Sequence, residues 1–408
     1  MINILAFVII GYVGCKILID LHQIYYIKNA YATNDDLELF SIDINYFHKS
    51  NSYNISKLFM SIFNMLIMAI ILFYFIFLGG IQNLANFIEK LNILNINQDL
   101  ALVICFVIFM VLVNMPIGLY KTFYIEEKFG FNKSSLRLYM KDFLLSSILG
   151  LIIISLLFSA FNILFIIYPD DWWLYIWIVY ILFNIFILYA YPIFIAPLFN
   201  EFKKLSDLKI IEVVNNLSKR TNFSVSNIYV MDGSKRSAHS NAYFTGFHKS
   251  KRIVFFDTLL SMLTPNEVEA VLAHEIGHYK KNHILKSMVM SLVFSFLIFY
   301  TIYQITLIDS LFNGLQINVS SPGELIIFFS LVLPPILFFL NPLFSSLSRR
   351  NEFEADNYAK EFSNKAYLVS SLKKLYKENL TILKTSPLYS KIYNSHPTVF
   401  ERINNLES

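Results

Sequence analysis

The chain has 408 residues, of which 56% are hydrophobic and only 15% are charged. This composition excludes an ordinary soluble globular protein and is typical of proteins that cross the membrane several times. The net charge is +4, and the only two cysteines both lie within apolar sequence, so no disulfide framework is expected.

Seven stretches are long and apolar enough to cross about 30 Å of hydrocarbon as helices. They lie near Ile4–Ile19, Leu58–Gly80, Leu100–Leu119, Phe143–Ile167, Leu174–Ile195, Ile284–Ile308 and Leu325–Leu340. The first stretch has neither a basic n-region nor a small-residue cleavage site, so we expect it to be retained as a helix. The sequence thus predicts an all-α integral membrane protein.

The number of Lys and Arg residues alternates between high and low in successive loops between these seven spans. Loops Asp20–Lys57 and Tyr120–Asp142 carry three and five, the segment Ala196–His283 carries twelve, and the tail after Leu347 carries ten. The opposite side carries only Lys90. Because basic residues concentrate on the cytoplasmic side, we expect the N-terminus outside and both large polar regions in the cytoplasm.

Two domains are predicted. Residues 1–195 form a membrane domain of five helices, and residues 196–408 combine the two polar regions with the helices near 284–308 and 325–340. The stretches His239–Phe247 and Lys251–Leu260 are rich in β-branched and aromatic residues and predict a small β-sheet. An edge strand there could pair with an extended peptide, or it could be a plain hairpin whose edge is covered.

The segment Val271–His283 reads VLAHEIGHYKKNH. It follows a predicted helix start, with Thr264 as N-cap, a proline in the first turn and a glutamate three residues after the cap. His274 and His278 are four residues apart and project from one helix face. Two imidazoles at this spacing can bind one zinc ion with Glu275 beside them, and the alternative is a chance match.

A catalytic zinc site needs a third protein ligand. The segment Ser348–Phe362 offers Glu352, with Asp356 on the same helix face, where Asp356 could hydrogen-bond the outer ring nitrogen of a ligand histidine. The alternative is an exposed charged helix on which Glu354, Asp356 and Lys360 form pairs four residues apart.

These motifs resemble those of a known family. HEIGH at His274–His278 with EFEAD at Glu352–Asp356 is similar to the M48 metallopeptidases, and more closely to the Ste24-type CaaX prenyl proteases. The resemblance covers nearly the whole chain. Supporting segments are Ile125–Leu136, Tyr191–Phe202, Gly233–Phe247, Lys251–Leu260 and Ser395–Ile403.

The resemblance implies seven helices that enclose a large chamber, with a gluzincin-like zinc protease domain on the cytoplasmic side. It implies one zinc ion per chain, bound by His274, His278 and Glu352, and Glu275 as the catalytic base. It supports Asp356 as the partner of a ligand histidine. Three further roles rest on it: His396 would stabilise the oxyanion, Asn241 and Ala242 would bind the substrate backbone, and Arg402 would hold this region or meet the substrate. The alternatives are a tail-loop histidine before Pro397, a plain hairpin whose edge is covered and a surface helix arginine.

We therefore expect a membrane zinc endopeptidase that cleaves near the C-terminus of CaaX-type substrates, with prenylation left open. The alternatives are a membrane quality-control zinc protease and a non-proteolytic scaffold that contains zinc. Expected partners are peptide or protein substrates and the lipid bilayer, and no nucleic acid. The membrane would be the inner membrane in a bacterium and the endoplasmic reticulum in a eukaryote.

Overall fold

The computed structural model describes residues 1–91, 97–223, 227–245 and 252–408. Nine helices form the first half of the chain in this described part: α1 (Ile2–Asn29), α2 (Asn34–Phe40), α3 (Ile44–Phe77), α4 (Gly80–Leu91), α5 (Gln98–Tyr120), α6 (Glu127–Phe129), α7 (Leu136–Ile167), α8 (Trp172–Ala190) and α9 (Ala196–Phe199). The π-helical turns Lys121–Glu126 and Tyr191–Ile195 join α5 to α6 and α8 to α9.

The second half contains a small sheet and further helices. In chain order they are β1 (Phe202–Lys204), α10 (Leu208–Thr221), β2 (Asn227–Met231), β3 (Ala242–Thr245), β4 (Arg252–Phe256), α11 (Asp257–Met262), α12 (Pro265–Lys280), α13 (His283–Thr306), α14 (Asp309–Leu315), α15 (Pro322–Phe338), α16 (Asn341–Phe362), α17 (Lys365–Glu378), α18 (Pro387–Tyr393) and α19 (Val399–Glu407). A 3₁₀ turn, Gly233–Lys235, follows β2.

Six helices of the described chain are long and apolar enough to cross a membrane, at the positions of the first six predicted spans. The seventh differs from the prediction. Helix α15 has 17 residues, about 26 Å at 1.5 Å per residue, and qualifies only together with α16, from which it is bent by 61°. The seventh span is therefore a short helix that continues, after a bend, into the helix that carries Glu352.

Several helices extend well beyond the apolar stretch that predicted them. Helix α7 was expected to begin at Phe143 but begins after Ser135, whose hydroxyl accepts a hydrogen bond from the Leu138 backbone N–H at 3.2 Å. Helix α1 continues past Ile19 to Asn29. Hydropathy marks only the part of a helix that lies in lipid, whereas capping groups and backbone hydrogen bonding decide where the helix ends.

The sheet has strand order β1-β2-β4-β3, with β2 and β4 parallel and the two outer pairs antiparallel. β3 is an edge strand, paired only with β4 within the described chain, with Ala242 opposite Phe255. The edge strand expected from the sequence is therefore present. Gly246 and Lys251, which belong to the predicted strand pair, lie outside the described residues.

The core of the second half surrounds α12. Val268, Leu272, Ala273 and Ile276 of this helix are fully buried and belong to one cluster with side chains of α10, α17 and α19. This burial stabilises α12 by the hydrophobic effect, at about 1.5–3 kcal/mol for each larger aliphatic side chain. The core thus fixes the position of the helix that carries both motif histidines.

Glu267 anchors the start of α12. Its carboxylate accepts hydrogen bonds from the backbone N–H and the hydroxyl of Thr264, as predicted for the helix cap, and also from Ser370 Oγ at 2.6 Å and Lys374 Nζ at 2.7 Å on α17. Burial alone would raise the pKa of Glu267, but the hydrogen bonds from Lys374, Ser370 and Thr264 outweigh it and hold the pKa below its ordinary value. The ionised carboxylate therefore stabilises the fold.

We expect Glu267→Gln to lower the free energy of unfolding by about 1–3 kcal/mol near neutral pH, because Lys374, Ser370 and Thr264 lose a charged acceptor. Since the folded-state pKa is depressed, this contribution is present above the unfolded-state pKa. It is lost as the pH falls through the folded-state value. The unfolding temperature of the detergent-purified protein should therefore be lower in the variant than in wild type near neutral pH, and this difference should disappear in acid.

The matched control is Glu269→Gln on the same helix. Glu269 pairs with Arg220, whose side chain is 47% exposed, so its loss should cost less than about 1 kcal/mol. The assigned role of Glu267 would be contradicted if both substitutions had an equal effect. It would also be contradicted if the difference in unfolding temperature between wild type and Glu267→Gln did not depend on pH.

Candidate metal centre and active site

Helices α12 and α16 bring the two motifs together. A side chain at Gly277 would place its Cβ 3.0 Å from Ala355 Cα and 3.1 Å from Ala355 O, so this glycine permits the close approach of the two backbones. The face of α12 with His274 and His278 then meets the face of α16 with Glu352. Local helix periodicity sets each face, and the glycine contact sets the distance between them.

Three potential ligand atoms converge between these helices. His274 Nε2 and His278 Nε2 are 3.2 Å apart, and they lie 3.5 Å and 3.3 Å from the nearest carboxylate oxygen of Glu352. In a tetrahedral zinc shell with bonds of 2.0–2.1 Å, neighbouring ligand atoms are about 3.3–3.4 Å apart. The donor set and its spacing therefore fit a zinc ion.

A buried atom without a hydrogen bond supports the same interpretation. Within the described chain, Glu352 Oε2 is buried and accepts no hydrogen bond. The nitrogens nearest to it are His396 Nδ1 at 3.0 Å, His274 Nε2 at 3.5 Å and Arg402 Nη1 at 3.6 Å. A buried carboxylate oxygen in this state has a lone pair that a cation can use.

Asp356 contacts the other side of His274. Asp356 Oδ1 lies 2.9 Å from His274 Nδ1, and Asp356 is fully buried, which contradicts the alternative of an exposed charged helix. Arg402 donates two hydrogen bonds to the same carboxylate, from Nε and Nη2. Of the two roles considered for Arg402, the geometry therefore supports the one in which it holds this region.

These contacts change the acidity of His274. Burial and the charge of Arg402 lower the pKa of His274, but the nearby carboxylates of Asp356 and Glu352 outweigh them and raise the pKa to about 9 in the metal-free protein. Only the neutral imidazole binds a metal, so a proton competes with the metal at this residue. The carboxylate of Asp356 also fixes the ring so that Nε2 faces the ligand cluster.

Glu275 lies beside the ligand cluster and not within it. Its carboxylate has no hydrogen-bond or ion-pair partner in the part of the chain that the structure describes. It lines both a cavity of about 290 Å³ that contains the ligand cluster and a second cavity of about 550 Å³ along the start of α13. A free carboxylate in this place can accept a proton from water in either cavity.

His396 also lines the 290 Å³ cavity. Its side chain is 66% exposed, with Nδ1 directed at Glu352, which leaves Nε2 as the ring nitrogen available to a substrate. It also borders a further cavity of about 450 Å³. His396 is thus within the same site as Glu275, on a loop between α18 and α19.

The edge strand reaches the site at its first residue. Asn241 and Ala242 both line the ligand cavity, and Ala242 also lines the cavity along α13. The backbone carbonyl of Asn241 accepts from the Phe256 N–H at 3.0 Å, so one edge of this strand is paired with β4, and no other strand of the described chain pairs with its second edge. The strand therefore runs past Glu275 with backbone groups that an extended peptide could use.

Sequence reasoning missed a network behind this strand. Asn379 Oδ1 lies 3.0 Å from His239 Nδ1 and accepts from the Ser240 N–H at 3.3 Å, and the His239 ring stacks on Phe131 at 4.0 Å. These contacts hold the segment that leads into Asn241. No local signal identifies them, because their partners come from distant parts of the chain.

Sequence reasoning also missed the role of His283, which lies closer to the motif. His283 lies within the segment that contains HEIGH, and its Nδ1 is 3.0 Å from His278 Nδ1, while its Nε2 is 3.1 Å from Glu354 Oε2. A histidine five residues after a motif histidine was a visible signal. Helix spacing alone would place the two on different faces, so the signal was not used.

Models of two protein families match the chain. The model described as peptidase family M48 matches residues 204–408. The model described as CAAX prenyl protease N-terminal, five membrane helices, matches residues 27–201. Together they account for most of the sequence.

Individual proteins are similar over most of their length. CAAX prenyl protease 1 of Saccharomyces cerevisiae is 38% identical over 312 residues, covering 72% of this chain and 69% of that protein. The CAAX prenyl protease 1 homolog of Homo sapiens is 34% identical over 352 residues, covering 77% and 74%. The crystal structure of S. mikatae Ste24p is similar with a TM-score of 0.90 and 32% identity, covering 99% of this chain and 98% of that one.

Proposed function

The chain belongs to peptidase family M48, in its CAAX prenyl protease 1 group, and we propose that it is a zinc endopeptidase that cleaves near the C-terminus of CaaX-type substrates. Membership makes it an integral membrane metalloprotease. The observation that carries the proposal is the ligand cluster of His274, His278 and Glu352, with the unpartnered Glu275 beside it at the wall of two cavities.

His274, His278 and Glu352 would hold the zinc ion, one per chain. A zinc ion bound there supplies Lewis acidity, which makes water nucleophilic at neutral pH and polarises a peptide carbonyl. Asp356 and Arg402 act through His274: the carboxylate accepts its Nδ1–H, and the guanidinium orients and neutralises the carboxylate.

Glu275 acts as general base and then as general acid. Its carboxylate takes a proton from the attacking water and delivers it to the nitrogen of the leaving amine. In the same cavity, His396 would donate a hydrogen bond from Nε2 to the oxygen on which negative charge develops. The scissile bond would lie in this cavity, within reach of both side chains.

The substrate would bind as an added strand. The edge of β3 that is not paired with β4 can pair, from Ala242 onward, with the backbone of an extended peptide, and the side-chain amide of Asn241 beside it can donate to the same peptide. Because the peptide backbone supplies these hydrogen bonds, the strand would accept many sequences. Selection of CaaX-type ends would then come from the cavities on either side of Glu275.

We also propose the division into a membrane domain, 1–195, and a peptidase domain, 196–408. The distribution of Lys and Arg supports an N-terminus outside and an active site on the cytoplasmic side. The membrane-spanning helices would enclose a chamber next to this site. The partners would be peptides or proteins, prenylated or not, within the lipid bilayer.

The substrate proposal is tested by cleavage of a C-terminal CaaX peptide with and without its isoprenyl group by detergent-purified, zinc-loaded protein. We expect kcat/KM to be at least about tenfold higher for the prenylated peptide, since burial of even two methylene equivalents, at about 0.8 kcal/mol each, gives that factor. Glu275→Gln serves as the inactive control. Equal cleavage of both peptides would contradict a prenyl-specific substrate. No cleavage of either, under conditions where the S. cerevisiae relative is active, would contradict the endopeptidase.

A further inference from the structure

The two motif histidines are held by different kinds of partner. His274 contacts the carboxylate of Asp356 directly. His278 instead contacts another imidazole: the Nδ1 atoms of His278 and His283 are 3.0 Å apart. His283 is only 3% exposed, and no carboxylate of the described chain lies within ion-pair distance of His278 Nδ1. The partner of His278 is therefore a buried histidine that the proposed mechanism does not use.

A local reversal of the chain brings His283 to this position. Helix α12 ends at Lys280, and Asn282 adopts a left-handed backbone conformation with φ 57° and ψ 30°. Asparagine tolerates this conformation better than most residues. The chain then turns back, and His283, the first residue of α13, faces the last turn of α12.

The hydrogen-bond network allows one arrangement of protons. His278 Nε2 faces the ligand cluster, so as a neutral metal ligand this imidazole carries its hydrogen on Nδ1. That N–H donates to Nδ1 of His283, which must then carry its own hydrogen on Nε2. The second N–H donates to Glu354 Oε2 at 3.1 Å. Each donor has one acceptor, and both tautomers are thereby determined.

Glu354 is fixed in turn. Arg350, one turn earlier on α16, donates from Nε to Glu354 Oε1 at 3.2 Å. The Glu354 side chain is 32% exposed, in contrast to the fully buried Asp356. The anchoring carboxylate for His278 is thus at the rim of the site, one imidazole farther from the ligand cluster than Asp356 is.

We propose that His283 and Glu354 form a positioning relay that fixes the tautomer and the ring orientation of His278 and thereby sets the metal affinity of the site. The proposal rests on the proposed function, in which His278 is a metal ligand. Partners of this kind typically change metal affinity 10–100-fold when they are removed. The relay also connects the first residue of the membrane-spanning helix α13 to the metal centre. Movement of that helix would therefore displace the ring of His278.

The test measures the affinity of the full-length, detergent-purified protein for zinc, by competition with a chelator, and the visible absorption spectrum of the cobalt-loaded protein. We expect His283→Ala to lower zinc affinity about 10–100-fold and Glu354→Ala to lower it by a smaller factor. His283→Asn should recover part of the loss, because its side-chain oxygen can accept near the position of Nδ1. Thermal stability of the metal-free variants should equal that of wild type, which separates the relay from a general structural role.

The controls are His22→Ala, an exposed histidine on α1, and Glu361→Ala, an exposed glutamate on α16. Wild-type zinc affinity in both His283→Ala and Glu354→Ala would overturn the relay, and a loss confined to His283→Ala would overturn the role of Glu354. If His283→Ala does not fold, the zinc affinity of Glu354→Ala tests the relay, because Glu354 is partly exposed and its replacement disturbs the fold less. His278→Ala distinguishes the two proposals: unchanged zinc binding in that variant would overturn the metal site itself, not the relay alone.

Discussion

Glu275→Gln is expected to lower kcat/KM for peptide cleavage by about 10²–10⁴-fold while metal content stays at the wild-type level. Glu275 follows His274 directly, but it lies outside the ligand cluster and has no hydrogen-bond or ion-pair partner among the described residues. Glutamine has nearly the same shape and cannot accept the proton. The loss should therefore appear in kcat, with little change in the affinity for substrate.

Three measurements check this result: steady-state kinetics on one CaaX peptide, metal content per chain, and thermal unfolding. Glu212→Gln, an exposed glutamate on the neighbouring α10, is the matched control and should retain wild-type kinetics. Activity of Glu275→Gln within a few-fold of wild type would mean that another group accepts the proton.

Glu352→Gln should abolish both stable metal binding and cleavage. The carboxylate is buried, three imidazoles lie within 3.5 Å of its oxygens, and Oε2 has no hydrogen bond within the described chain. The amide keeps the volume but has no negative charge and turns one oxygen into a donor group. We expect a loss of metal affinity greater than the about 10–100-fold that removal of a hydrogen-bond partner of a ligand causes.

Chelation of wild-type protein should have the same effect reversibly: activity is lost with the metal and returns when zinc is added. Glu361→Gln, exposed on the same helix, should change neither property. If Glu352→Gln kept stoichiometric zinc and full activity, the metal would have to be held by other residues. Activity that resists complete metal removal would exclude a metal role in catalysis.

The membrane architecture was largely predictable from hydropathy. Lipid offers no hydrogen-bond partners to the backbone, so an apolar stretch of sufficient length must be helical there. Six spans were therefore located correctly. The bend of 61° after α15 was not predicted, because hydropathy does not register helix-breaking residues. The signals were Pro334 and Pro335 near the end of this helix and Pro342 just after it.

Helix periodicity also placed the right side chains together within each motif. A spacing of four residues puts His274 and His278 on one face of α12, and Glu352 and Asp356 on one face of α16. The N-cap at Thr264 was visible for the same reason, since capping depends on residues only three positions apart. The pairing of the two faces came from the resemblance to the family and not from spacing.

The sequence by itself determined what depends on neighbours along the chain: the apolar spans, the helix that carries HEIGH, and the two helix faces that carry the motif side chains. Only the tertiary structure decided which residues face those motifs from elsewhere. Arg402 binds Asp356, and His283 reaches His278 only after the left-handed turn at Asn282. The physical reason is that periodicity fixes the direction of a side chain within its own helix, whereas its partner depends on how separate elements pack, as at the close contact of Gly277 with Ala355.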